Sequence, residues 1–151
     1  MMRNCLKFLG VFAVSLLPRL ASATRSAELF RAESYSYGRM EARARLAAGD
    51  GVVSSVFLWK DGSEQTGTFW NELDFEKVGA ECRLETNPIY GNPPANHTQR
   101  HALDLDLCGA FHTYAYEWTP EALVWLIDGV EIRRESGAMA QAFADNASGG
   151  M

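Results

Sequence analysis

Alternation of apolar and polar residues in several segments of the chain is the feature that most limits its fold. A period of two residues is typical of a half-buried β-strand, and residues 40–46 show it although their Ala, Arg and Glu content would suit a helix. Residues 52–59 and 111–118 are rich in β-branched and aromatic side chains, and Asp128-Gly129 is a two-residue hairpin signal. We predict about nine strands, no helix longer than about two turns, and an all-β antiparallel sandwich or barrel.

Residues 69–76, with the sequence FWNELDFE, combine this alternation with an unusual charge pattern. One face of the predicted strand is apolar and suits the core, whereas the other carries Trp70, Glu72, Asp74 and Glu76. Because no Lys or Arg on that face relieves the repulsion, we expect at least one carboxyl pKa to be raised. A raised carboxyl pKa is what a general acid needs near neutral pH.

The spacing of Glu72 and Glu76 is compatible with glycoside hydrolysis. At about 3.3 Å per residue their Cα atoms lie roughly 13 Å apart, and two glutamate side chains can close much of that gap. Retaining glycosidases need carboxyl groups about 5–5.5 Å apart and inverting ones about 6.5–9.5 Å, so the spacing admits both outcomes. The alternative is an acidic face that is only solvated, or that holds a cation.

The N-terminus has the layout of a secretory signal peptide. A basic start precedes an uncharged apolar run over residues 8–17, and the sequence ASA at residues 21–23 is a small-x-small cleavage site. The run is too short for a membrane span, which needs about 20 apolar residues; a buried N-terminal helix is the alternative. We predict removal of residues 1–23 and a secreted, periplasmic or extracellular domain over residues 24–151.

Composition narrows the possible partners. The chain has 19 acidic and 14 basic residues, a net charge of -5, which argues against nucleic acid as the main partner. Hydrophobic residues make up 47% and charged residues 22%, which excludes a mostly disordered chain. His97, His101 and His112 lack the spacing of zinc ligands, so we predict no metal site.

Two cysteines, Cys82 and Cys108, remain once Cys5 is removed with the signal peptide. The sequence after Cys82 leads into a dense turn signal at residues 91–96, and residues 100–107 then alternate again. We therefore predict a hairpin that brings position 82 opposite position 108. In an exported protein this permits a disulfide, and two free, buried thiols are the alternative.

The sequence WNELDFE at residues 70–76 resembles the Glu-x-Asp-x-Glu signature of glycoside hydrolase family 16, the laminarinase and lichenase family. Further segments resemble the family's strands in the same order, so the resemblance covers roughly residues 28–135. They are ESYSYGRMEAR at residues 33–43, GVVSSVFLW at residues 51–59, and residues 112–118 with the hairpin at residues 128–129. The resemblance implies a curved, concanavalin-like jelly roll with a sugar-binding cleft on its concave face.

The resemblance also implies a retaining double displacement, with Glu72 as the nucleophile and Glu76 as the acid/base. It implies that Asp74 hydrogen-bonds toward the nucleophile, and that Trp70 stacks on a sugar ring. Looser parts of the alignment add three candidate substrate-binding residues, Asn87, Tyr37 and Trp59. Trp59 suits the core equally well.

An endo-β-glucanase acting on β-1,3-glucan or mixed-linkage β-1,3-1,4-glucan without a cofactor is the function that the resemblance implies. Together with the signal peptide, this predicts a secreted enzyme, and we expect it to be a monomer. Some relatives carry a structural Ca²⁺, whose site the sequence does not locate. A transglycosylase on the same fold and a non-catalytic glycan-binding fragment are the alternatives. Strands that the family carries before residue 33 and after residue 148 are missing from this sequence. We therefore expect an incomplete jelly roll with weak activity at best.

Overall fold

The computed structural model describes residues 26–31, 33–146 and 151. The predicted signal peptide, residues 1–23, lies outside the described residues, so the cleavage site and the domain boundary after it stay predictions. The chain divides into two compact units, Met1–Arg31 and Ala32–Met151, and the second contains every strand and the helix named below.

Nine strands and one helix occur in the described part of the chain, and they form two antiparallel sheets. One sheet has the order β1-β7-β8-β9, and the other has the order β2-β3-β4-β5, with β6 also pairing with β4. This confirms the predicted all-β antiparallel sandwich. The elements are β1 (Gly38–Ala44), β2 (Val53–Trp59), β3 (Trp70–Val78), β4 (Leu84–Gly91), β5 (Pro94–Asn96), β6 (Gln99–His101), β7 (His112–Trp118), β8 (Ala122–Ile127), β9 (Val130–Ser136) and α1 (Ala138–Asn146).

Aromatic side chains join the two sheets beneath β3. Phe75 is fully buried, and the centroid of its ring lies 4.8 Å from that of Tyr116 on β7. The Tyr116 hydroxyl donates a hydrogen bond to the Val56 carbonyl (2.5 Å), and the Trp125 indole N–H donates one to the Asp74 carbonyl (3.0 Å). These rings therefore fill the core and also satisfy their polar groups on the backbone of the other sheet.

A buried cation makes a second connection between the sheets. The guanidinium of Arg133 on β9 donates to the Thr86 carbonyl (2.8 Å) and to the His97 carbonyl (2.9 Å). It also lies 5.1 Å from the centroid of the Trp125 ring and forms an ion pair with Glu135. A charge can be buried here because hydrogen bonds and an acidic partner replace its hydration.

The helix is a feature that the sequence prediction missed. α1 is nine residues long, which is more than two turns, and it buries Ala140 and Phe143 against the core. Its sequence, AMAQAFADN, is rich in good helix formers, and Gly137 with φ 65° separates it from β9. The Asn71 side chain donates to the Phe143 carbonyl (3.2 Å), which attaches the helix to β3.

The predicted strand over residues 100–107 is also wrong. Only Gln99–His101 forms a strand there, and the following residues form a loop. Asp106 explains the difference, because its carboxylate accepts a hydrogen bond from the Gly109 N–H (2.7 Å), a local bond that competes with strand pairing. The apolar residues of this segment therefore lie in a loop, and Leu107 is buried in the core.

Cys82 and Cys108 are joined by a disulfide, with the two Cα atoms 6.1 Å apart. The strands next to it do not follow the predicted register. A turn centred near residue 95 puts Leu84 opposite residue 106, whereas Leu84 pairs with His101. The loop after β6 therefore carries Cys108 back to Cys82.

We predict that the double variant Cys82→Ser/Cys108→Ser is less stable by about 3–4 kcal/mol, because the disulfide closes a loop with a sequence separation of 26 residues. Urea unfolding with and without reductant measures the difference. Reduced wild type should unfold like the variant, and reductant should leave the variant unchanged. Equal stability of the variant and the oxidised wild type would contradict the prediction.

Candidate active site

Alternation along β3 separates a core face from an acidic face. The core-facing side chains are fully buried and are Asn71, Leu73, Phe75 and Lys77. The other face carries the acidic row, defined here as Trp70, Glu72, Asp74 and Glu76, in which the sequence prediction and the strand agree on the face. Since β3 lies between β2 and β4, the row runs along a central strand of its sheet.

Hydrogen bonds hold Glu72 from both sides within the row. The Trp70 indole N–H donates to the Glu72 carboxylate (2.7 Å), and the Asp74 carboxyl forms a side-chain hydrogen bond with Glu72. Asp74 is only 4% exposed, so this bond lies in a largely dehydrated part of the row. The carboxyl group of Glu72 is therefore fixed in orientation by its two neighbours.

The environment of the row favours bound protons. Burial, the charges of Glu72 and Glu76, and the hydrogen bond with Glu72 raise the pKa of Asp74 to about 8. The pKa of Glu76 is also raised, first by burial and then by the charges of Glu85 and Glu72. Two of the three carboxyl groups thus hold a proton more tightly than an exposed carboxyl does.

The row is flanked on one side by aromatic residues of β2. Trp59 pairs with Glu72 and Phe57 pairs with Asp74, and directly paired residues point to the same face of a sheet. The structure therefore places Trp59 on the acidic face, where the sequence left cleft and core open. Phe57 was missed, although alternation with Trp59 along β2 was the signal for it.

On the other side, β4 contributes polar residues. Asn87 pairs with Asp74, and Glu85 pairs with Glu76. The Asn87 side chain accepts a hydrogen bond from the His97 N–H (2.9 Å) and donates one to Asn96 (3.1 Å), which fixes its amide. The structure thus brings Asn87 to the acidic row, and it adds Glu85, which the same alternation would have identified.

Tyr37 is not brought to this site. It directly precedes β1, which pairs with β7 in the sheet that does not carry the acidic row. There its side chain lines a small pocket with Trp118, Leu123 and Phe143. The structure therefore gives no support to Tyr37 as a residue of the cleft.

The described residues contain neither a cluster of metal-binding side chains nor a long apolar helix. Among them, no group of three or more His, Cys, Asp or Glu side chains is arranged to hold a metal ion. Within the same ranges, no helix has the length and apolar character that a membrane crossing requires.

Comparison with known proteins assigns the family. A model of glycosyl hydrolases family 16 matches residues 13–147. The chain belongs to this family. Over 115 residues it is 42% identical to a β-glucanase of Fibrobacter succinogenes, in an alignment that covers 74% of this chain and 33% of the relative.

Solved structures of carbohydrate-active enzymes share the fold. A β-1,3-1,4-glucanase (lichenase) from a mouse hindgut metagenome is 31% identical with a TM-score of 0.58, covering 70% of this chain and 48% of that one. The Crh5 transglycosylase in complex with NAG is 26% identical with a TM-score of 0.55, covering 66% and 39%. The two sheets thus correspond to part of the predicted jelly roll, and the chain spans between a third and a half of the length of these relatives.

We predict that Asp74→Asn flattens the pH dependence of stability between pH 4 and pH 8. The folded state holds the Asp74 proton more tightly than the unfolded state, so this group stabilises the fold below about pH 4 and the contribution is lost as pH rises toward 8. An asparagine does not titrate, so the difference in unfolding free energy between variant and wild type should change by about 2–5 kcal/mol over this range.

Urea unfolding at several pH values measures this effect. Asp104→Asn, at an exposed aspartate in the loop after β6, is the matched control and should parallel the wild type. Parallel curves for Asp74→Asn and the wild type would show that Asp74 does not hold its proton in the folded state.

Proposed function

We propose that this chain carries the catalytic residues of a secreted endo-β-glucanase that cleaves mixed-linkage β-1,3-1,4-glucan or β-1,3-glucan with retention of configuration. The observation that carries the proposal is the acidic row, in which a buried Asp74 bonds to Glu72 and Glu76 follows on the same face. Family membership supports hydrolysis of a glycosidic bond, and the names of the relatives support β-glucan as the substrate.

Glu72 acts as the nucleophile in this proposal. Trp70 and Asp74 hold its carboxylate in one orientation, which limits the reorganisation needed before attack on the anomeric carbon. With a pKa of about 8, Asp74 keeps a proton at neutral pH and removes one of the three negative charges. The proton is then available for the hydrogen bond to Glu72.

Glu76 acts as the general acid and then as the general base. Burial raises its pKa, which favours the protonated form that must donate to the leaving oxygen. After the glycosyl-enzyme has formed on Glu72, the Glu76 carboxylate takes a proton from the attacking water. Two displacements at one carbon restore the original configuration.

The residues around the row suit a polysaccharide. Trp70 on β3 and Trp59 and Phe57 on β2 are rings on the acidic face, and flat apolar rings stack on sugar rings. Asn87 offers an oriented amide opposite Asp74. Export by the predicted signal peptide, and thus an extracellular location, agrees with a polymer substrate that does not enter cells.

A transglycosylase is the second candidate, and the likeness to the Crh5 transglycosylase favours it. The same residues form the glycosyl-enzyme, which is then transferred to a sugar hydroxyl rather than to water. Product-length analysis on mixed-linkage glucan distinguishes the two, because hydrolysis only shortens chains whereas transfer also yields longer ones. A chain that binds β-glucan without turnover would instead be a glycan-binding fragment.

We predict that Glu72→Ala lowers glucanase turnover by about 10³-fold or more, because no glycosyl-enzyme can form. Azide should restore part of the turnover and give a glycosyl azide of inverted configuration. Glu76→Ala should be rescued with retention, on aryl glycosides whose leaving group needs no proton. Proton NMR of the products reads the anomeric configuration.

Glu64→Ala, at an exposed glutamate outside the strands, is the control and should keep the wild-type rate. An unchanged rate in Glu72→Ala would end the assignment of the nucleophile. Reducing-sugar release from barley-type β-glucan and from laminarin by the wild-type chain reports the linkage that it prefers.

A further inference from the structure

Beside Glu76, charged side chains continue across the neighbouring strands. Glu85 on β4 pairs directly with Glu76 on β3, and Arg100 on β6 pairs directly with Glu85. Directly paired residues share a face, so the three side chains form a line across the sheet. The Arg100 Nε lies 2.6 Å from the Glu85 carboxylate, and the side chain of Glu85 is 21% exposed whereas that of Arg100 is 79% exposed.

The fold alone does not explain a glutamate at position 85. Its side chain lies on the face opposite the core, and an ion pair with so exposed a partner contributes little to stability. Two like charges at directly opposed positions of neighbouring strands destabilise a sheet. The chain therefore carries an unfavourable juxtaposition next to the residue that we assign as the acid/base.

We propose that Glu85, held by Arg100, is a positioning residue that controls when Glu76 gains and loses its proton. The inference rests on the proposed function, in which Glu76 is the acid/base. The direction of the effect agrees, since the charge of Glu85 raises the pKa of Glu76 and ranks behind burial and ahead of Glu72 among the causes. In this proposal the ion pair acts through Glu76.

The other groups that face Glu76 lie on its own strand or on β2. On its own strand the facing carboxyls are Glu72 and Asp74, and from β2 the paired residue is Ser55, which carries no charge. A surface cavity next to Glu85 and Arg100 is lined also by Val78 and by the ion pair of Glu81 with Arg83. Among the described residues, β4 and β6 thus supply the charges that can tune Glu76 from across the sheet.

Arg100 determines how strongly Glu85 acts. Its guanidinium opposes the charge of Glu85 and holds the carboxylate on the side toward β6. Loss of Arg100 leaves the carboxylate of Glu85 uncompensated next to Glu76, so Glu76 should hold its proton to higher pH. Loss of the charge on Glu85 has the opposite effect, because Glu76 then has one repulsive neighbour fewer.

The test uses Glu85→Gln and Arg100→Gln in the full chain. We expect the alkaline limb of the pH profile of kcat/KM to move down by roughly half a pH unit in Glu85→Gln and upward in Arg100→Gln. Glu131→Gln is the matched control, since Glu131 forms an exposed ion pair with Arg134 on β9, and it should leave the limb in place.

Direct titration makes the result independent of activity. Carboxyl resonances of ¹³C-labelled glutamate, with Glu76 assigned by its loss in Glu76→Gln, should shift in the same directions as the limb. A Glu76 titration that stays unchanged in folded Glu85→Gln, or a loss of rate that is equal at every pH, overturns the inference. If the Glu76 titration shifts in the variants but the wild-type chain shows no turnover, the coupling between Glu85 and Glu76 is supported. The proposed function is then overturned instead.

Discussion

The contact between Phe75 and the aromatic residues of the facing sheet is the interaction on which the rest of the structure depends. Phe75 packs on Tyr116, and the indole of Trp125 donates to the Asp74 carbonyl. Because successive residues of a strand point to opposite faces, holding Phe75 in the core also directs Asp74 and Glu76 away from it. The order of the acidic row is therefore a consequence of core packing on the other side of β3.

That packing lets the molecule keep carboxyl groups close together. Like charges at this spacing repel one another, and the acidic row itself contains no cation. A bound proton relieves the repulsion instead, as the raised pKa of Asp74 indicates. Core packing offsets the unfavourable free energy of placing these carboxyl groups close together, because the buried rings and the hydrogen bonds of Arg133 hold the two sheets together. Stability at alkaline pH is what the arrangement gives up.

Features that follow from alternation along a strand could be predicted from the sequence. It predicted the strands, the face on which Glu72, Asp74 and Glu76 lie, and the residues between which the disulfide forms. It failed where local hydrogen bonds or tertiary contacts compete with alternation, as at Asp106, whose carboxylate caps a loop, and in α1, whose apolar residues fill the end of the core. Alternation carries no information on sheet order, so it could not check Tyr37, a candidate from the family resemblance, which directly precedes β1 in the sheet that does not carry the acidic row.

In the proposed mechanism the two glutamates of the acidic row have separate tasks, and their neighbours in the structure differ. At the Glu72 end the neighbours are the indole of Trp70, which donates a hydrogen bond, and the ring of Trp59 across β2. At the Glu76 end the neighbour across β4 is a charge, the carboxylate of Glu85. Burial and the like charge of Glu85 raise the pKa of Glu76 and so favour its protonated form. In the proposed mechanism the acid therefore lies where its surroundings favour a bound proton, and the central position of β3 gives the row a different neighbour on each side.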